Sequence, residues 1–247
     1  LSSCSDFIDL KPIDFPTEET FYKDVKGLEG AVIGIYDELQ SSDQYGAKFM
    51  TLMEVRGDNV KNDNSGASGG ITYQIEVFTE TPANSNLSGA WLSLYKTIYR
   101  CNLVLQNVEE VPMSDEQRSR IAGQASFIRA LCYFNLVRLW GEVPIITKTQ
   151  TVTEARNNKR APIDEVYGQI ISDLAVAKGL PAVWPESERG RATSYAAHAL
   201  LAKVYLYQEK YTEAEKLLQE LTCRGEFSGN TPEYKLLKNF GDVWSMD

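Results

Sequence analysis

Acidic residues fall in adjacent pairs along this chain, at Glu18-Glu19, Asp37-Glu38, Glu109-Glu110 and Asp115-Glu116, and paired carboxylates are the raw material of glycoside hydrolysis. Neighbours on a helix point in different directions, however, so these pairs read as solvated faces or first-turn acids rather than as an acid and a base converging on one bond. The single histidine, His198, lies among Ala196, Ala197 and Ala199. One imidazole on a packed helix excludes multi-histidine zinc sites and leaves a Ser-His-Asp triad with a poorly placed base. Cys101, Cys132 and Cys223 show no metal-ligand spacing and read as buried free thiols. The glycines from Gly66 to Gly70 lack the lysine and following hydroxyl of a phosphate-binding loop. Asp58, Asn62, Asp63 and Asn64 supply oxygen ligands, but their spacing departs from the EF-hand pattern, which leaves calcium a secondary candidate and implies no other cofactor. No catalytic constellation emerges, and the chain does not read as an enzyme.

Recognition of sugar needs less. Aromatic rings cover the apolar CH face of a pyranose, while amides and carboxylates hydrogen-bond its hydroxyls. The Gly57–Ser88 stretch, rich in Gly, Asn, Ser and Asp, offers Asn59, Asn62, Asp63, Asn64, Tyr73 and Phe78, and Trp184 lies in another loop. Loops on a rigid scaffold are where such groups are usually presented. Tyr73, Phe78, Asn62, Asn64 and Trp184 are therefore the candidate glycan-binding residues, Tyr73 first. Tyr73 reads equally as a strand residue packed under the loop, and Trp184 as packing against the helix that follows it.

Composition narrows the partners. A net charge of -9 with scattered basic residues argues against a nucleic-acid surface. Hydrophobic residues at 43% and charged residues at 24% describe an ordinary globular chain, long enough at 247 residues for a sizeable core. No run of 18 apolar residues is present, so the chain does not span a membrane by itself.

Periodicity gives helices almost throughout. Thr17 caps a helix to about Gln40, and further helices run near Ala47–Arg56, Leu87–Val108, Ser114–Trp140, 163–178, Thr193–Gln208 and Thr212–Thr222. A short strand is expected at Ile71–Phe78. In the last helical pair Leu201, Ala202, Tyr205, Ala214, Leu218 and Leu221 fall at the offsets of a tetratricopeptide unit, whose exposed side the Trp91 and Gln124 helices are expected to cover. The fold class is all-α, an irregular tetratricopeptide-like array with long loops.

The Ser114 helix opens with a Ser-x-x-Gln capping box and first-turn acids, becomes apolar almost all round, carries Arg129 mid-run, and stops at Gly141 before Pro144. A helix without a polar face is buried in a larger array, and Arg129 must then pair with a carboxylate inside it. The run Ala125, Phe127, Arg129, Ala130, Tyr133, Phe134, Leu136, Val137, Trp140, Gly141, Val143, Pro144 resembles the signature of the SusD-like (RagB/SusD) family. Trp91-x-x-Leu94-Tyr95-x-x-Ile98 with Asn102, Asp164-x-Val166-Tyr167-x-x-Ile170-x-x-Asp173-Leu174, and Gly190-Arg191-Ala192-Thr193 flank it in the family's order. Most of these are helix-packing residues, identifying a scaffold rather than a site.

The resemblance implies a lipoprotein facing the cell exterior on the outer membrane. It would capture oligosaccharide or polysaccharide and deliver it to a SusC-like TonB-dependent transporter. The other function in play is a tetratricopeptide-type protein-interaction scaffold without glycan binding of its own. Leu1-Ser2-Ser3-Cys4 looks like a lipobox, so Cys4 is the expected lipid attachment, residues 1–3 belong to the signal peptide, and residues 1–16 form a lipoprotein N-terminus and linker. Residues 17–247 correspond to the family's N-terminal helical domain. Members of the family are considerably longer, which implies either a fragment or a shortened member and apolar surface left exposed where a second half would pack.

Overall fold

The computed structural model describes residues 21–62 and 70–222. Among these residues the chain is helical, with one isolated antiparallel bridge, Val143 to Ala161, and no strand. The helices are α1 (Val25–Leu39), α2 (Lys48–Glu54), α3 (Ile71–Glu76), α4 (Ser85–Asn107), α5 (Asp115–Trp140), α6 (Val152–Arg156), α7 (Ile163–Ala177), α8 (Ser194–Tyr207) and α9 (Tyr211–Thr222), with a 3-10 turn at Glu186–Glu188.

α5 is the axis of the array. Ser114 accepts from the Gln117 N–H and the Gln117 side chain returns to the Ser114 N–H, which closes the expected capping box. Its buried residues run from Ile121 to Val137 over several faces, because α4 and α1 cover one side and α7 another. The C-terminal stop is Gly141, at φ 68° and ψ -118°, a backbone state that side-chain-bearing residues avoid.

Arg129 meets its carboxylate on α7. Nε and Nη2 donate to the two oxygens of Asp173 at 2.9 and 2.6 Å, and Nη1 donates to Asn102 Oδ1 on α4 at 2.7 Å. Burial works against the Arg129 charge, but the hydrogen bonds and the opposite charge of Asp173 outweigh it and hold the guanidinium protonated above its ordinary range. The same group of side chains fastens the extended segment after α5: Asn102 and Tyr133 donate to the Ile146 carbonyl, Tyr133 accepts from the Ile146 N–H, and Tyr95 donates to the Pro144 carbonyl. Several signature residues are thus a buried polar clamp that satisfies an otherwise unpaired backbone.

Three expectations change. The helix predicted from Thr17 is interrupted, and α1 starts afresh at Val25 with Asp24 accepting from the Gly27 N–H at 2.7 Å. A Cβ at residue 27 would lie 1.7 Å from the Phe21 carbonyl oxygen, so the break is built on a glycine. The strand expected at Ile71–Phe78 is α3. Ile71-x-Tyr73-x-Ile75-x-Val77 alternates like a strand, but no partner strand exists there among the described residues, and a helix satisfies its own backbone while burying Ile75. In the last hairpin Leu201, Ala202, Ala214 and Leu221 are buried as expected, yet Leu217 fills the interface and Leu218 is 37% exposed. α7, with a lighter contribution from α5, packs on α8 of this pair, and the Trp91 helix (α4) is not among its main neighbours.

Candidate functional site

The Gly57–Ser88 region is organised by two polar anchors, one buried and one partly buried. Asn84 caps α4 by accepting from the Asn86 N–H, and its amide donates to the Ile71 carbonyl and to Gln74 Oε1, which ties α3 to the start of α4. Arg56, just past α2, forms an ion pair with Glu80 and holds the 77–84 loop down. The second oxygen of Glu80 has no partner.

Between this loop and the far end of α5 lies a groove of about 520 Å³, lined by Glu80, Thr81, Pro82, Leu87, Ser88, Trp91, Leu92 and Trp140. Its wall is largely apolar. Trp91 and Trp140 meet edge to face with centroids 5.2 Å apart, and Trp91 also packs on Tyr95 at 4.9 Å. Both tryptophans are only half-buried, and Leu92 beside them is 68% exposed. Rings fixed by other rings and open on one side offer the apolar face on which a pyranose stacks.

Two predicted residues stand on or just past the adjoining α3. Tyr73 is 40% exposed and Phe78 68% exposed. Phe78 follows the helix in a Schellman arrangement, with its own N–H bonded to the Ile75 carbonyl and the Thr79 N–H to the Gln74 carbonyl, at φ 56°. That position ordinarily takes glycine, so a large exposed ring is held there against backbone preference. The Asn62 N–H donates to Glu76 at 3.1 Å, which fastens the described end of the 57–62 segment to α3. Asn64, Asp63, Cys4 and Cys223 lie outside the described residues.

Trp184 belongs elsewhere. It is 6% exposed, its indole N–H donates to the Ala192 carbonyl at 2.8 Å, and the guanidinium groups of Arg120 and Arg191 lie 5.5 and 5.6 Å from its ring. The ring is a packing residue between the 181–193 loop and the array, so it is not presented to a ligand in this structure. His198 is half-buried with Nδ1 2.7 Å from the Ser194 carbonyl oxygen, and Cys101 and Cys132 are buried free thiols. Among the described residues no three His, Cys, Asp or Glu side chains gather to hold a metal ion.

Residues 6–206 match the SusD-like family described as "Starch-binding associating with outer membrane". The chain belongs to the SusD-like family. Members bind carbohydrate and associate with the outer membrane. Among its relatives, SusD-like protein P25 of Formosa agariphila is 29% identical over 98% of this chain and 46% of its own length, and a SusD-like protein of Bacteroides ovatus is 31% identical over 83% and 37%. A laminarin-binding SusD-like protein of known structure superposes with a TM-score of 0.80 at 31% identity, covering 90% of this chain and 48% of the other. A SusD-like protein from Bacteroides fragilis gives 0.74 at 25% identity, over 85% and 40%. The chain spans under half the length of the first three relatives, 46%, 43% and 44%.

Sequence reasoning missed the groove residues of this SusD-like chain. It assigned Trp91 and Trp140 to packing because both sit in scaffold motifs. One local signal was available: the buried stripe of α4 runs through Ala90, Leu94, Ile98 and Cys101, and Leu92 lies off it.

Proposed function

We propose that this SusD-like chain captures oligosaccharide or polysaccharide at the Trp91–Trp140 groove. In this reading it is anchored to the outer membrane through acylated Cys4, faces the cell exterior, and passes the glycan to a SusC-like TonB-dependent transporter. The observation that carries the reading is the pair of half-buried tryptophans that meet in the wall of the groove. A sugar ring lying on Trp91 buries its CH face against the indole. Phe78 and Tyr73 extend the aromatic surface next to it, and the laminarin-binding relative supports glycan as the class of ligand.

Affinity electrophoresis and calorimetry against a polysaccharide panel test this. Retention by at least one glycan is expected, and Trp91→Ala should weaken it about tenfold or more, the roughly 1.4 kcal/mol or more that an anchoring aromatic contributes. Because Trp91 also packs, circular dichroism must find the variant folded, and Leu92→Lys tests the same groove without removing a packed ring. No retention by any glycan would sink the reading.

The interaction-scaffold reading has one observation in its favour. A cleft of about 460 Å³ between α7 and the α8–α9 turn is lined by Tyr167, Tyr207, Gln208 and Lys210, residues suited to a peptide backbone. Loss of transporter co-purification on Lys210→Glu and Tyr207→Ala, with glycan retention intact, would assign the transporter to that cleft.

A further inference from the structure

Resting on the reading of the groove as a sugar site, we propose that its ligand is an anionic polysaccharide, bearing carboxylate or sulfate, whose chain continues from the Trp91–Trp140 groove over a basic loop at residues 148–160. Basic residues are scattered over most of the chain, but Lys148, Arg156, Lys159 and Arg160 fall within 13 residues that hold a single acid, Glu154. Four cations against one acid give the loop +3 in a chain of net charge -9, so the remaining residues carry -12.

The loop is held in one shape. Where its arms begin, the Ala161 N–H donates to the Val143 carbonyl, and farther out the amides of Gln150 and Asn158 bond each other reciprocally at 3.1 and 2.7 Å. At the tip α6 is closed by Thr151, whose N–H and hydroxyl both donate to Glu154, so the loop's acid is occupied by the cap. All four cations are exposed. Lys148, Arg156 and Lys159 form no salt bridge among the described residues. Arg160 lies 3.9 Å from Glu142 with both side chains at least half exposed, a pairing that contributes little and yields readily to a ligand anion.

The first arm runs along the face of α4 that carries Trp91. Tyr95 donates to the Pro144 carbonyl, Asn102 to the Ile146 carbonyl, and Gln106 accepts from the Thr149 N–H. At 3.6 residues per turn, positions 91, 95, 102 and 106 share a stripe roughly 60° wide, and Gln106 lies about 22 Å from Trp91 along the helix axis. The second arm comes back to the groove, since Arg160 stands against Glu142, two residues past the groove's Trp140. A sugar chain stacked on Trp91 that continues along this face reaches the loop, where guanidinium and ammonium groups donate to carboxylate or sulfate oxygens. A lipid surface or an acidic protein would meet the same charge but has no use for the stacked rings beside it.

The test measures binding of alginate and polygalacturonate, which carry a carboxylate on every sugar, against uncharged laminarin and starch, by affinity electrophoresis and calorimetry on the protein. At about 0.05 M salt both anionic glycans should bind at least tenfold more tightly than the uncharged ones, and raising salt to about 0.5 M should remove most of that advantage, because exposed charges are screened. Replacing all four cations by glutamine, at exposed positions that leave the fold intact by circular dichroism, should cost anionic binding at least tenfold and leave uncharged binding level. Trp91→Ala should weaken anionic binding as well, since one polymer occupies both surfaces. Uncharged glycans bound as tightly as anionic ones, or anionic binding indifferent to the fourfold substitution, overturns the proposal and leaves the groove reading standing. Anionic binding indifferent to Trp91→Ala, or polyglutamate or anionic lipid vesicles bound as tightly as alginate, also overturns it, because the loop would then be a polyanion surface separate from the sugar site. Absence of retention on every glycan is a different failure, that of the groove as a sugar site, and the proposal falls with it.

Discussion

Phe78 offers a sharp separation of ligand binding from stability. The residue occupies the left-handed position after α3 at φ 56° with its ring 68% exposed. For a side-chain-bearing residue that backbone costs roughly 1–2 kcal/mol, a strain glycine escapes. Glycine in turn loosens the unfolded chain by about 0.4–1 kcal/mol. About a third of a ring worth roughly 2 kcal/mol when fully covered is buried, so truncation forfeits about 0.7 kcal/mol. These terms nearly cancel for Phe78→Gly, whose stability should fall within about 0.5 kcal/mol of the parent, whereas Phe78→Ala keeps the strain, loses the ring, and should be about 0.5–1 kcal/mol less stable than Phe78→Gly. Urea denaturation reads the stabilities, and a difference of this size corresponds to a few degrees in Tm. Affinity electrophoresis on the glycan that the parent retains reads binding, and both variants should lose it alike, about tenfold for a contact of roughly 1.4 kcal/mol. A purely architectural Phe78 predicts the reverse, a Phe78→Gly variant destabilised by more than about 2 kcal/mol with binding intact in whatever folds. Either that result or full retention by Phe78→Ala refutes the reasoning.

Removing one partner of the buried Arg129–Asp173 pair, by Arg129→Met or Asp173→Leu, should cost about 3–5 kcal/mol in chemical denaturation, and the double variant should recover much of the loss because no uncompensated charge remains. Gly27→Ala places a Cβ 1.7 Å from the Phe21 carbonyl and should cost about 1–3 kcal/mol, with chemical shift changes centred on residues 21–28 rather than on the core. Burial pushes the Cys101 and Cys132 thiols up, so the folded state keeps them protonated while unfolded thiols ionise from about pH 8.5. Their contribution is complete below that pH and is lost as pH rises towards the folded values, so stability should be level near pH 7 and fall above pH 8.5, at up to about 1.4 kcal/mol per pH unit for each thiol. Urea titrations from pH 7 to 10 check it, and Cys101→Ala with Cys132→Ala should flatten the decline up to about pH 10, where tyrosines begin to ionise.

The parts legible in the sequence are those whose physics is local. Ser114 and Gln117 lie three residues apart and cap one helix, and an arginine in an apolar run demands a buried acid, which Asp173 supplies. Other features depend on what the chain meets far away. Alternation at Ile71–Val77 satisfies strand and helix alike until the absence of a partner strand among the described residues decides for α3. The period through Phe21, Val25 and Leu28 runs unbroken across the interruption that Asp24 and Gly27 make. Trp184 sits in a loop by sequence, yet Ala192 and two arginines close over it. The groove is the same kind of case. Trp91 and Trp140 lie 49 positions apart and become one surface only because α4 and α5 pack together and the 77–84 loop stops short of covering them.

That geometry ties the family signature to the candidate site more closely than packing alone would. Tyr95 is the common member: its hydroxyl donates to the Pro144 carbonyl, and its ring lies against Trp91. Trp91 in turn meets Trp140, the last residue of α5, and Gly141 turns the chain back so that Pro144 and Ile146 can be gripped by Tyr95, Tyr133 and Asn102. Arg129 fixes Asn102 from the other side. The buried clamp and the groove therefore share one continuous set of contacts, in which a groove-lining ring is steadied by a residue whose polar end is satisfied inside the fold. Positioning of this sort suits recognition by stacking, where an aromatic already held in place loses little freedom when a sugar ring is laid on it. In the proposed reading Arg129 serves binding without touching the ligand, by holding the elements that hold Trp91.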